Sequence, residues 1–225
     1  MFNVFWYNSE VNKDIALKIE DFFKNYKFQT YKKGEIILRA DDNPQGIFYL
    51  TKGLVKMYSI SKKGDEVILN IFKPISFFPM TWGLNETPNA YYFEAMEDTN
   101  LYRAPREKVV LFLERNPDVA LDLLKRLYRG VDGMLIKMTY LMSARAHTRL
   151  MMELIIHAQR FGKKTKGNAV MLKISEGELA ASSGMTRETA SREISRLKEE
   201  GLITFRQNML EIKDLNKLSE MLIED

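Results

Sequence analysis

Residues 173–205, KISEGELAASSGMTRETASREISRLKEEGLITF, admit few folds. Ser175 and Glu178 have the S-x-x-E spacing of a capping box, so a helix begins at about Glu176. Leu179 and Ala180 lie on its buried face. Ser183-Gly184 ends it, with a glycine able to take the left-handed turn that joins two close helices. Thr186 is the N-cap of a second helix over about 187–200, packed inward by Met185, Ile194 and Leu197 and terminated by Gly201. Residues 202–205 and 209–212 then flank Arg206-Gln207-Asn208 as a two-stranded wing.

Arg187, Glu188, Ser191 and Arg192 fall at helical spacing near the start of that second helix, on its outward side. Arginine can donate two bonds to guanine O6 and N7 in the major groove, and glutamate can accept from cytosine N4. Ser175, Thr186 and Thr189, beside helix N-termini, suit contact with phosphate. An acidic Glu188 among phosphates is costly unless it reads a base or orients an arginine. The fragment R-E-x-x-x-R alone fits any exposed charged helix. The ordered combination of capping box, turn glycine, second cap, helix-ending glycine and hairpin points to double-stranded DNA. Charge follows the same division: residues 145–206 hold 12 Lys/Arg against 7 Asp/Glu, and residues 207–225 hold 2 against 5.

Upstream, Asn116-Pro117 is an N-cap followed by proline at the first helical position, opening a helix to about Met142. Ala120, Leu124, Leu127, Val131, Met134, Met138 and Leu141 repeat in alternating steps of four and three, an a/d heptad seam. Such a line either packs on the chain's own domain or forms a parallel two-helix dimer seam, and its length and regularity favour the dimer. A second apolar line, Leu121, Leu135 and Met142, suggests contact with the protein's own β-domain. Gly130 and Gly133 each weaken the helix by about 1 kcal/mol relative to alanine, which suits a close packing partner.

Before residue 105 the period changes. A helical lead-in over 10–28 carries Val11, Ile15, Ile19, Phe22 and Phe23 on one side. Short β-rich runs follow at 35–40, 46–51, 54–60, 66–72, 90–96 and 100–104, punctuated by Gly34, Asn43-Pro44, Gly46, Gly53 and Gly64-Asp65. This pattern predicts an antiparallel barrel or a jelly-roll-like sandwich. Pro105 opens a short helix to about Glu114 as its first residue. Beyond residue 145 come a helix over about 146–161, a basic loop at 162–168 and a strand at 170–174.

Composition narrows the chemistry. The 225 residues include no cysteine, which excludes disulfides, thiolate metal sites and cysteine-ligated iron–sulfur clusters. The only histidines are His147 and His157, ten apart on one predicted helix and about three turns separated, so they cannot share a metal. No metal or cofactor is expected. The N-terminus MFNVFWYNSEVNKD lacks the basic start and long apolar core of a signal peptide. The nearly uncharged stretch 74–93 carries three prolines and cannot be a membrane helix. A cytoplasmic protein with no membrane partner is expected, and a net charge of +4 is compatible with nucleic acid.

Together these segments resemble the Crp/Fnr family of bacterial transcription regulators from about residue 15 to 215. The expected class is α+β, with an N-terminal antiparallel β-roll similar to a cyclic-nucleotide-binding domain (1–116), a dimerisation helix (117–143) and a C-terminal winged helix-turn-helix (144–225). Gly34, Gly46 and Gly53 sit where the family's roll has its turn glycines, and Arg187, Glu188 and Arg192 stand at its base-reading positions. Ser191 beside Arg192 is similar to the Fnr-like pattern, and Arg187 before Glu188 to the Crp-like one. The resemblance implies a homodimer on a two-fold symmetric operator, often in contact with RNA polymerase.

The chain departs from the cyclic-nucleotide members of that family. Their phosphate cassette has Gly-Glu and then Arg-Ser, where this chain aligns Pro79-Met80 and Ala90-Tyr91. No lysine or arginine lies between Lys73 and Arg103, so cyclic AMP is not expected to bind. Iron–sulfur sensing lacks its cysteines, and haem ligation lacks a histidine in the roll. What remains is apolar and aromatic. Phe77, Phe78, Met80, Trp82, Tyr91, Tyr92 and Phe93 either fill the roll or, for Phe78, Met80, Trp82 and Tyr91 with Met134 and Leu135, line a pocket for an unknown small-molecule effector. Cupin-like metal catalysis would need histidines inside the roll, and no nucleophile–base constellation is present, so an enzyme is not expected. The rival is a ligand-binding regulatory roll without DNA contact.

Overall fold

The computed structural model describes residues 11–224, so most of the N-terminal segment judged against a signal peptide lies outside the described residues. The chain divides into two compact units, the boundary falling between Arg126 and Leu127.

The first unit opens with α1 (Lys13–Phe23), capped by Asn12, whose side-chain oxygen accepts the Asp14 N–H at 2.8 Å. Eight strands follow: β1 (Lys27–Tyr31), β2 (Ile36–Leu38), β3 (Ile47–Lys52), β4 (Val55–Ile60), β5 (Glu66–Phe72), β6 (Ser76–Phe78), β7 (Tyr92–Ala95) and β8 (Thr99–Ala104). A short helix, α2 (Met80–Asn85), interrupts them, and α3 (Arg106–Arg115) follows β8. The strands form two antiparallel sheets, β1-β8-β3-β6 and β2-β7-β4-β5.

Alternation along β3 explains the layering. Phe48 and Leu50 point between the sheets, where they meet Leu38, Val55, Phe78, Phe93 and Leu101. Ile47 and Tyr49 point the other way, into a second core with Phe23 of α1, Val109 and Phe112 of α3, and Val119. The predicted β-roll is thus present, with a helical layer on one sheet.

Three predictions need correcting in this unit. The lead-in helix ends at Phe23 rather than continuing to 28, because residues 27–31 pair with β8 in register, Lys27 opposite Arg103. Pro105 stands one place before α3 as its extended N-cap, its carbonyl accepting from Lys108 and Val109 at 3.1 and 3.2 Å. Residues 74–89 hold β6 and α2, where no element was expected. Arg106 of α3 fixes α2 by donating to the Gly83 carbonyl at 2.9 Å and pairing with Glu86 at 2.9 Å.

The long helix α4 (Pro117–Ser143) follows. Asn116 serves both neighbours: its side-chain amide donates to Phe112 at 2.7 Å, and its carbonyl accepts from Val119 at 3.0 Å. Val119 and Leu123 pack into the helical layer of the first unit, and Ile136 and Tyr140 into the core of the second. Neither predicted apolar line supplies these contacts. The second line is a correction: Leu121, Leu135 and Met142 are exposed, Met142 by 77%. Gly130 has open space where a Cβ would stand, so nothing in the chain explains it by close packing.

The second unit is built around α5 (Ala146–Phe161), which is buried at eleven of its positions, His147, Thr148, Glu153 and His157 among them. Its sheet has four strands in the order β11-β12-β10-β9: β9 (Lys163–Lys164), β10 (Val170–Lys173), β11 (Ile203–Arg206) and β12 (Met209–Ile212). The predicted two-stranded wing therefore extends through β10 to part of the predicted basic loop, because Lys163 and Lys164 pair with Met171 and Val170. A terminal helix, α8 (Leu215–Glu224), goes unmentioned in the sequence reading, although Leu215, Leu218 and Leu222 have helical spacing and Asp214 caps the N–H groups of Asn216 and Lys217. It seals the core with Leu218 and Leu222.

One buried charge cluster sits inside this core. Glu153 of α5 pairs with Lys137 of α4 at 2.9 Å and with His157 at 3.2 Å. Burial pushes the Glu153 carboxyl up, but the His157 hydrogen bond and the Lys137 charge outweigh it, holding the group below the ordinary carboxylate range.

Candidate nucleic-acid interface

The helix-turn-helix forms as its local signals dictate. α6 (Glu176–Ser183) starts at a complete capping box: the Ser175 hydroxyl oxygen accepts the Glu178 N–H at 3.2 Å, and the Glu178 carboxylate accepts the Ser175 N–H at 2.7 Å. Gly184 ends it at φ 62°, where a side chain would be strained. Thr186 caps α7 (Arg187–Glu199), its hydroxyl oxygen accepting from Thr189 at 3.3 Å. At the far end the Leu202 N–H reaches the Leu197 carbonyl and the Gly201 N–H that of Lys198, both at 3.0 Å. These two bonds make a Schellman close.

α7 turns one face inward and one outward. Ala190, Ile194 and Leu197 are buried in the core, and Glu193 is buried beside His147. Arg187, Glu188 and Arg192 are exposed, Arg192 by 73% of its side chain, while Thr189 and Ser191 are half-buried. The structure thus groups the three predicted base readers on the first two turns of one helix and sets Ser191 partly behind them. The Glu188 carboxyl is held below its ordinary range by its own backbone N–H first and the Thr186 hydroxyl second, so it is ionised at neutral pH. The Ser175 hydroxyl, expected both to cap α6 and to suit phosphate, donates to Glu178 at 2.8 Å.

Arg196 escaped the sequence reading. It is exposed one turn beyond Arg192 on the same face and pairs with Glu200 at 2.9 Å. The i, i+4 spacing from Arg192 is the signal that could have found it. Lys163, Lys164 and Lys166 are exposed at the β9 edge of the sheet.

The four candidate pocket residues of the first unit do not share one core. Phe78 is 1% exposed between the two sheets of the roll, stacked on Phe93 at 5.0 Å and on Phe48 at 5.6 Å. Met80 and Trp82 pack on the helical layer across the sheet from it. Tyr91 is exposed, and Met134 and Leu135 lie on the exposed part of α4 in the other unit. The aromatic rings at Phe77, Phe78 and Phe93 fill cores. The seam residues Leu124, Leu127, Met134, Met138 and Leu141 are exposed along one line of α4, Leu127 by 58%, with Ala120 and Val131 half-buried among them. Among the described residues no group of three or more histidine, aspartate or glutamate side chains is arranged to hold a metal ion, and no helix is long and apolar enough to cross a membrane.

A β-roll, a long helix and a winged helix-turn-helix with an exposed arginine–glutamate–arginine face define a DNA-binding transcription regulator. Two family models match in the same order, a cyclic nucleotide-binding domain over residues 28–116 and a Crp-like helix-turn-helix domain over residues 148–221. The chain is 25% identical over 191 residues to the global nitrogen regulator of a Nostoc species, covering 82% of this chain and 84% of that protein. It is 26% identical over 196 residues to the cyclic AMP receptor protein of Thermus thermophilus, covering 87% and 88%. Among solved structures, a Crp/Fnr-family transcriptional regulator of Thermus thermophilus superposes with a TM-score of 0.73 at 25% identity, covering 88% of this chain and 99% of that one. The c-di-GMP responsive global regulator CLP of Xanthomonas campestris shares the fold, with a TM-score of 0.77 at 20% identity, covering 88% and 98%. The chain belongs to the Crp/Fnr family of bacterial transcription regulators.

Proposed function

We propose that this regulator acts in the cytoplasm as a homodimer, joined through the exposed seam of α4, on a two-fold symmetric DNA site. The observation that carries the mode of reading is the exposure of Arg187, Glu188 and Arg192 on the first turns of a helix whose opposite face is locked in a core. That end of the helix enters the major groove, with Arg192 and Glu188 reading a G·C pair. Thr186, Thr189, Arg196 and the β9 lysines face phosphate, where they add affinity without sequence preference. Ser175 contributes by fixing the start of α6. The chain works as a DNA-binding regulator and not as an enzyme.

The roll acts without cyclic AMP. In support, the segment aligned with the phosphate cassette offers Pro79-Met80 and Ala90-Tyr91, and stacked phenylalanines occupy the space between the sheets. Signalling through the roll, where it occurs, involves a different ligand class or none.

Selection of binding sites from a random DNA pool tests the DNA mode. A palindromic logo with half-sites about 10–10.5 bp apart is expected, because two recognition helices of a symmetric dimer must enter successive major grooves. Arg192→Ala should relax one G·C position by about 1–3 kcal/mol. A non-palindromic logo, or one unchanged by the substitution, would refute the dimeric mode or the role of Arg192 respectively.

A further inference from the structure

Gly177 is the second residue of α6, a position where glycine weakens the helix and where no turn requires it. Its backbone is helical, and Ser175 and Glu178 already complete the cap around it. Beside the place a side chain would take lies Arg187, the first residue of α7. The Nε, Nη2 and Cζ atoms of Arg187 stand 3.5, 3.6 and 3.7 Å from the point where a Cβ on Gly177 would lie. The guanidinium therefore rests against the first turn of α6. It takes part in none of the ion pairs found among the described residues. The contact is packing and not charge, so the donors of the guanidinium remain available to a ligand.

We infer that Gly177 is a positioning residue for Arg187: with no side chain beyond the Cβ position it leaves room for the guanidinium to rest against the start of α6, and that seat sets the base preference read by Arg187. The inference rests on the reading of α7 as the base-contacting helix. Arginine reads guanine through a planar fork whose direction must be right, and its long stem has many rotamers to lose. A seat that removes wrong rotamers before DNA arrives raises discrimination without adding a contact. An alanine at 177 would stand at ordinary van der Waals distance and keep the seat. A side chain with γ and δ carbons competes for the space and releases the arginine.

Full-length protein, Arg187→Ala, Gly177→Ala and Gly177→Leu are each put through random-pool DNA selection, followed by equilibrium binding to the best site and to sites changed at single base pairs. Arg187→Ala identifies the base pair that Arg187 reads. At that pair Gly177→Leu should lose about 5-fold or more of discrimination, with the Arg192 pair unchanged and Gly177→Ala like wild type. If Arg187→Ala changes the logo and Gly177→Leu does not, the seat is refuted and the DNA reading stands. If Arg187→Ala leaves the logo unchanged, the role of Arg187 falls and the seat with it. Equal loss at both base pairs in Gly177→Leu, a distorted helix pair, also refutes the seat. Circular dichroism melting establishes that each variant is folded, and Gly177→Gln repeats the test with a polar chain, under the same outcomes, should the leucine variant not fold.

Discussion

The Nδ1 atom of His147 lies 3.2 Å from Oε2 of Glu193, and both side chains are about nine-tenths buried. The same imidazole places Nε2 3.6 Å from Glu200. Each carboxylate has its other oxygen near an exposed arginine, Glu193 with Arg192 at 3.5 Å and Glu200 with Arg196 at 2.9 Å. α5 thus meets α7 from within at Glu193 and approaches its C-terminal cap at Glu200, the two partners of its outward arginines.

His147→Leu leaves the Glu193 carboxylate buried with its inner partner gone. A loss of about 1–3 kcal/mol in unfolding free energy is expected from urea titration. Adding Glu193→Met should restore part of it, because an apolar pair of similar volume has no desolvation to offset. A double mutant as unstable as the sum of its singles would mean that the two residues do not interact.

Stability of the second unit should fall in acid through Glu153. Its folded carboxyl titrates below the ordinary 4.5, because His157 and Lys137 overcome the cost of burial, while in the unfolded chain it titrates at the ordinary value. The unfolded state therefore takes up the proton first as pH falls. The contribution is present above about pH 4.5 and disappears as pH drops through the lower, folded value. Urea midpoints from neutral pH to about pH 3 should decline in wild type and decline less steeply in Glu153→Gln, which is less stable at neutral pH.

Leu127→Asp combined with Met134→Asp places two charges on the α4 seam at positions 58% and 57% exposed in the single chain. Folding of the protomer should survive, since neither side chain belongs to a core. Light scattering should report monomers, and DNA affinity should fall because two half-sites are no longer bound together. A double mutant that remains dimeric assigns the seam elsewhere.

Cyclic AMP at millimolar concentration should give no saturable heat in calorimetry and should leave DNA affinity unchanged. Phe78→Ala should cost about 3–5 kcal/mol in stability, since its ring is enclosed by Phe48, Phe72 and Phe93 and leaves a cavity behind. A micromolar nucleotide signal in wild type would contradict the assignment of the roll interior as filled core.

The sequence by itself determined the helix-turn-helix nearly to the residue. Ser175, Glu178, Gly184, Thr186 and Gly201 act on backbone groups within a few positions of themselves, so their effects are written in local spacing. The strands β3, β4, β5 and β8 were legible for a similar reason, as short runs of β-forming residues set off by turn residues. Only the tertiary structure decided that Phe77 faces the helical layer and Phe78 the inside of the roll, or that residues 27–31 leave the lead-in helix to pair with β8. It alone joined His147 to Glu193 across 46 positions, Glu153 to Lys137, and Arg187 to the empty place at Gly177. Each of these depends on where distant segments are brought by packing, and a hydrogen bond or a filled space between them leaves no periodic trace in either segment alone.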